Sequence, residues 1–146
     1  GFIMAIYVGG TGDANKIDDY EEGTWTPEIR YYSSGAWYST TMTNAGTKSA
    51  KYTKVGDLVY IDLTWHTFEV QNSNYCLISG LPFTCSHRGG FGAAYTNAVN
   101  NHQNQPGLIS TNSTYIEFYY NSNSWNSWKN NTSGLYMYGA GTYKAS

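Results

Sequence analysis

The sequence predicts an all-β protein, an antiparallel β-sandwich of the jelly-roll kind, from three observations. From Leu58 onward Val59, Ile61, Leu63 and Trp65 alternate with Tyr60, Asp62, Thr64 and His66, a period of two with one apolar and one polar face. Gly, Ser, Thr and Asn dominate the rest, residues that favour turns or strands, and no long stretch shows apolar residues at three-and-four spacing. About nine short runs of strand formers are separated by turn clusters, which is the rhythm of a sandwich.

Composition explains how such a chain makes a core. Only 12% of the 146 residues are charged and the net charge is −2, so self-repulsion does not hold the chain open. Aliphatic residues are sparse, but fifteen Tyr and five Trp replace them. Each buried aromatic removes roughly 150–250 Å² from water. The eight Lys and Arg are scattered, which argues against nucleic acid as a partner. No apolar run is long enough to span a membrane as a helix, so no membrane insertion is expected.

In chain order, residues 1–16 read as an N-terminal strand (2–8) and a flexible connector around Gly9-Gly10-Thr11-Gly12-Asp13. Residues 17–146 form the domain. Six of the ten acids fall between Asp13 and Glu28, without the spacing of a calcium loop, and read as a solvated or interface-lining lead-in. Strands are expected at 26–33 and 37–43 around the turn Ser33-Ser34-Gly35, then a polar loop at 43–49. The central hairpin pairs 51–55 with 58–62 across Gly56-Asp57. Gln71-Asn72-Ser73-Asn74 is a turn, 75–79 a strand, and Gly80-Leu81-Pro82-Phe83 its end. A loop at 86–92 around Arg88-Gly89-Gly90 precedes a strand at 92–99 and a polar hinge at 100–107. Strands follow at 108–110 and 114–120, the second with Ile116, Phe118 and Tyr120 facing one way and Tyr115, Glu117 and Tyr119 the other. A loop at 121–133 leads to strands at 134–138 and 141–145, with Leu135 and Met137 inward. Trp25 and Trp65 are expected in the core.

Several segments together carry a resemblance: Asp18-Asp19-Tyr20-Glu21-Glu22-Gly23-Thr24-Trp25-Thr26-Pro27, then Tyr52-Thr53-Lys54-Val55-Gly56-Asp57-Leu58-Val59-Tyr60, then Ile78-Ser79-Gly80-Leu81-Pro82-Phe83, and finally Gly141-Thr142-Tyr143. In this order they resemble the C-terminal domains of tail fibres and tailspikes of tailed bacteriophages. The matches run from about residue 17 to 83 and recur at the end; residues 84–140 carry none. The resemblance implies a homotrimeric β-sandwich, pairing or not into a hexamer, at the distal end of a receptor-binding protein on the virion and made in the host cytoplasm. It implies binding of host-surface polysaccharide, help with trimerisation, or both. Any depolymerase activity would belong to an upstream β-helical part of the parent chain. Met4 fits the internal start that some such tailspikes use.

Sugar binding needs flat rings for the pyranose C–H faces, flanked by amides and hydroxyls. The loop at 121–131 offers Trp125 and Trp128 among Asn123, Asn126 and other polar residues. The alternative for both tryptophans is that they fold down and cap the core. A second candidate face is Tyr115, Tyr119, Tyr136 and Tyr138, for which the alternative is a subunit contact. His66, His87 and His102 show no metal-ligand spacing, and Cys76 and Cys85 read as reduced thiols, so neither metal nor cofactor is expected. There is no nucleophile elbow and no catalytic residue is assigned. A glycan hydrolase using Glu21 or Glu22 with another acid, and a purely structural trimerisation module, are the competing functions.

Overall fold

The hairpin at Gly56-Asp57 joins the second and third strands of a long antiparallel sheet in the computed structural model. It describes residues 6–7, 16–17, 19–39, 42–43, 46, 48–70, 75–99, 106–121, 124–125, 128 and 134–146. The strands are β1 (Ile6–Tyr7), β2 (Lys16–Ile17), β3 (Tyr20–Thr24), β4 (Glu28–Ser33), β5 (Ala36–Ser39), β6 (Met42–Thr43) and β7 (Lys48–Val55). They continue as β8 (Leu58–Val70), β9 (Cys76–Ser79), β10 (Cys85–Thr96), β11 (Gly107–Ile109), β12 (Tyr115–Asn121), β13 (Ser124–Trp125) and β14 (Leu135–Ala145). β1 and β2 pair only with each other; the connector 9–13 lies outside the described residues.

All-β antiparallel architecture is as expected, but the layering differs. Instead of two sheets, ten strands form one hydrogen-bonded path, β3-β7-β8-β14-β10-β11-β12-β9-β4-β5, with β6 and β13 attached at the side. The path must curl. β3 and β4 stand first and ninth in it, a separation of about 38 Å if flat at ~4.8 Å per strand. Only Trp25, Thr26 and Pro27 join them in sequence, a reach of at most about 14 Å. The result is a half-barrel whose two arms enclose one core.

The alternation in β8 works as read: Val59, Ile61, Leu63 and Trp65 are all at most 1% exposed. Opposite them lie Ile29, Cys76, Ile78, Ile116 and Phe118 of the other arm, in the same core cluster. Leu135 and Met137 point inward, and Trp25 is buried, its indole N–H donating to the Asp62 carbonyl at 3.2 Å. Each fully buried side chain of this size contributes roughly 1.5–3 kcal/mol.

Four segments differ from the sequence-based expectation. Of the lead-in acids, Glu21 and Glu22 belong to strand β3, antiparallel to β7, and Glu28 opens β4, while Asp13 and Asp18 lie outside the described residues. The loop expected at 86–92 is the first half of β10, paired along β14. The two strands expected after 133 are one, β14, running through Gly139-Ala140. Gly139 permits this because a Cβ there would come within 2.5 Å of the Phe91 ring, which occupies the space. Finally, a short strand, β13, lies within the loop expected at 121–133 and pairs with β12.

The crossing of the connector over the other arm is equally tight. Gly80 has φ +95, and a Cβ there would stand 2.0 Å from the Thr26 carbonyl oxygen. Gly80→Ala therefore combines backbone strain with a collision against main chain. We expect a loss of at least about 1–3 kcal/mol in urea unfolding, with the same fold above the midpoint of recovery. Cys76 and Cys85 are buried thiols outside any disulfide, and burial pushes the Cys76 thiol up to about 12. At pH 8 that thiol stays protonated, so a thiol reagent should leave Cys76 unmodified in native protein and titrate both cysteines only after denaturation.

Candidate functional site

Two irregularities fall at one end of the sheet. Leu135 pairs with Phe68 and Tyr136 with His66, which leaves Thr67 as an extra residue in β8, at φ 60. A β-branched residue at positive φ is strained, by about 1–3 kcal/mol, and such strain gathers at functional sites. On the other side of β14, Ala93 pairs with Gly139 and Tyr95 with Tyr138, so β10 also bulges. Ala93 and Tyr95 would share a face in a regular strand. The bulge turns Tyr95 to the outer face, where it is 61% exposed, while Ala93 packs against the core.

The β10 bulge completes an outer aromatic cluster. Tyr95 and Tyr136 stack with centroids 4.6 Å apart and planes 12° from parallel. Tyr138 lies 6.1 Å from each, and His66 6.3 Å from Tyr138. A hydrogen bond with the Tyr95 hydroxyl raises the Tyr136 pKa above its ordinary value, with partial desolvation adding to it. The backbone beneath is clamped by side chains where the regular ladder is broken. Thr96 Oγ1 donates to the Tyr136 carbonyl at 2.8 Å, and the Tyr136 N–H donates to Asn97 Oδ1 at 2.9 Å. Asn97 Nδ2 reaches the Gly134 carbonyl at 3.3 Å. The rings thus sit on a rigid support.

The other residues singled out by sequence are distributed differently. Tyr115 and Tyr119 lie on the outside of β12, half-buried around Glu117, which is 6% exposed and accepts a hydrogen bond from Ser110 Oγ at 3.1 Å. Burial pushes both phenols up, and the Glu117 carboxylate adds to it. β10 and β11 separate β12 from β14, and among the described residues no ring contact joins this pair to Tyr136 and Tyr138. The four tyrosines are therefore two separate pairs. Trp128 is 0% exposed: it bridges Val99 and packs edge-on against Phe118 at 5.7 Å. Its ring caps the core and offers no face to a ligand. Trp125 pairs through its backbone with Tyr119, and Asn123 and Asn126 lie outside the described residues.

The four described lead-in acids are held by neighbours. Asp19 pairs with Lys54 at 2.5 Å, and Glu28 accepts from Ser39. Glu21 faces inward and takes the Tyr52 hydroxyl at 2.6 Å, which pushes that phenol up to about 12. Glu22 faces outward and accepts from Tyr20 at 2.9 Å. Glu21 and Glu22 therefore sit on opposite faces of β3 and do not form a carboxylate pair. Among the described residues no cluster of three or more His, Cys, Asp or Glu could hold a metal ion.

Sequence reasoning missed Tyr95 and His66. For His66 alternation gave the outer face of β8 but not its neighbours, and for Tyr95 the only local signal was its type, since the bulge that turns it outward comes from long-range pairing. Set beside known protein families, curated proteins and solved structures, the chain matches none.

The burial of Trp128 makes a direct test. Trp128→Ala should cost about 3–5 kcal/mol in chemical unfolding, as a large core deletion does. Trp128→Phe should cost clearly less, because it keeps ring contact with Phe118 and removes an indole N–H that has no acceptor among the described residues.

Proposed function

We propose that this chain is a non-catalytic, homotrimeric module of a phage tailspike or tail fibre, which attaches to host-surface polysaccharide through the outer face of β8, β14 and β10. The observation that carries the reading is the exposed Tyr95–Tyr136–Tyr138 cluster with His66, held on a double bulge. Flat rings on a rigid sheet, with hydroxyls at their rims, suit the C–H faces and hydroxyl edges of pyranoses. Fixed rings also lose little entropy on binding. Trp128 drops out of the ligand set proposed from sequence, and Tyr95 and His66 join Tyr136 and Tyr138.

The non-catalytic reading draws on the four described acids of the lead-in, Asp19, Glu21, Glu22 and Glu28, each of which already serves a hydroxyl or a lysine in the fold. Two arms closed over one core are compatible with the layered, jelly-roll-like module that the resemblance implies. The location follows from the same resemblance: the tip of a tail appendage, with three sites acting together to raise avidity.

A second reading, trimerisation without a ligand, has its own observation. At the β4–β5 edge, Tyr32 is 41%, Tyr38 46% and Tyr75 51% exposed, beside Trp37, which stacks edge-on with Tyr32 at 5.3 Å. An open sheet edge rich in aromatics suits burial between copies. The two readings are compatible, since they use different faces.

Tyr138→Ala and Tyr95→Ala should each weaken retention on host polysaccharide at least about fivefold, equivalent to ~1 kcal/mol. The unfolding midpoint and the assembled mass by light scattering should stay unchanged. Wild-type binding to no host glycan, with a trimer that dissociates when Tyr38 or Trp37 is replaced by serine, would favour the structural reading instead.

A further inference from the structure

The outer face continues beyond the tyrosines, and its side chains change character in rows. Across neighbouring strands, Thr24 stands opposite Lys51, Lys51 opposite Asp62, Asp62 opposite Ala140 and Ala140 opposite Gly92. One row further along the strands lies Thr64, Tyr138 and Tyr95. On the other side lies Glu22, Thr53, Tyr60 and Thr142. The middle row is therefore low at Ala140 and Gly92 and is flanked by aromatic rings, including Tyr60 at 45% exposure. At its far end it opens into a shallow depression of about 400 Å³ lined by Glu22, Thr24, Lys51, Thr53 and Asp62. Five strands at ~4.8 Å make this trough about 19 Å long, enough for a stretch of chain instead of one sugar ring.

Of the charged groups in the depression, Glu22 already accepts from the Tyr20 hydroxyl at 2.9 Å, whereas Lys51 and Asp62 have no side-chain partner among the described residues. Lys51 and Asp62 face each other in register yet form no ion pair, and no hydrogen bond involves either side chain; only the Asp62 carbonyl is engaged, by Trp25. A half-buried carboxylate with a hydroxyl on each side suits vicinal hydroxyls, from which it accepts two hydrogen bonds. The charge is unbalanced. Glu22 and Asp62 stand against Lys51 alone, so a uronate or sialate laid in the trough meets net repulsion.

We infer that the tyrosine cluster and this depression form one trough that takes uncharged polysaccharide chains and discriminates against anionic ones, with Asp62 as the hydroxyl acceptor. The inference rests on the glycan-binding reading of the tyrosine face. It goes further by naming a second half of the site and the class of chain it accepts.

The test is a glycan array carrying uncharged bacterial oligosaccharides and their uronate- or sialate-bearing counterparts. It is probed with the full chain as wild type, Tyr138→Ala, Asp62→Asn, Thr53→Ala and Asp62→Lys. The inference predicts wild-type binding confined to uncharged glycans, and a loss of at least about fivefold for Asp62→Asn on the same glycan that Tyr138→Ala weakens, at unchanged unfolding midpoint. Asp62→Lys should gain binding to the anionic counterpart, and that gain should fade as salt is raised. If Tyr138→Ala weakens binding while Asp62→Asn and Thr53→Ala leave it unchanged, or if wild type prefers anionic glycans, this inference fails and the glycan-binding reading stands. If wild type binds nothing, or Tyr138→Ala binds as wild type does, both fail together.

Discussion

Three residues, Trp25 to Pro27, tie the first strand of the sheet path to the ninth, and this short strap forces the sheet to roll up. The strap is fastened at several points. The Trp25 N–H bonds to the Ala50 carbonyl at 3.1 Å and its indole to the Asp62 carbonyl. Lys48 Nζ donates to the Pro27 carbonyl at 3.3 Å, and Gly80 lies directly beneath Thr26. One aromatic residue is thereby fixed to both β7 and β8 while its chain passes to the far arm. Everything else in the core fills the space that this closure defines.

Rolling a sheet brings inward side chains close together, and the chain answers by pairing large rings with glycines. The Phe91 ring occupies the place of a side chain on Gly139, and the Tyr52 ring approaches to 2.8 Å of where a Cβ on Gly23 would stand. Such ring-over-glycine contacts keep strands together where side-chain pairs are lacking. They also explain how few aliphatics suffice. Tyr52 and Tyr143 run their rings through the core and carry the hydroxyls to its edge, where Glu21 and the Phe83 backbone receive them. Tyrosine thus provides both apolar area and a satisfied polar end, which a leucine core cannot do.

How much of this was legible in the sequence depended on whether the signal was local. The β7–β8 hairpin was readable because its alternation and turn lie within about twenty residues. The first half of β10 was not, since His87-Arg88-Gly89-Gly90 carries turn composition and becomes a strand only beside β14. β3 was hidden by its own acids, whose partners Tyr52 and Lys54 arrive from thirty or more residues away. For Trp128 its polar neighbours left a ligand-facing ring and a core cap both open, and only its distant contacts, Val99 and Phe118, decide for the cap. Of the candidate site, Tyr136 and Tyr138 were found by alternation alone. Tyr95 was not, because a bulge reverses the alternation on which that reading depends.

That reversal separates tyrosines that hold the fold together from those that face outward. In a chain with fifteen of them, residue type cannot distinguish the two roles, and strand register must. Two bulges on either side of β14 shift register by one residue each: the one in β10 brings Tyr95 to the outer face beside Tyr136, Tyr138 and His66, and the one in β8 brings Phe68 to the inner face. The extra residue at Thr67 serves the inner face. Trp65 and Phe68 are three residues apart and would lie on opposite faces of a regular strand. The bulge lets both be buried with their rings 5.0 Å apart while Thr67 takes φ 60. A β10 strand that kept perfect alternation would send Tyr95 toward the core and leave the outer face with three of its four rings, without the one that stacks on Tyr136.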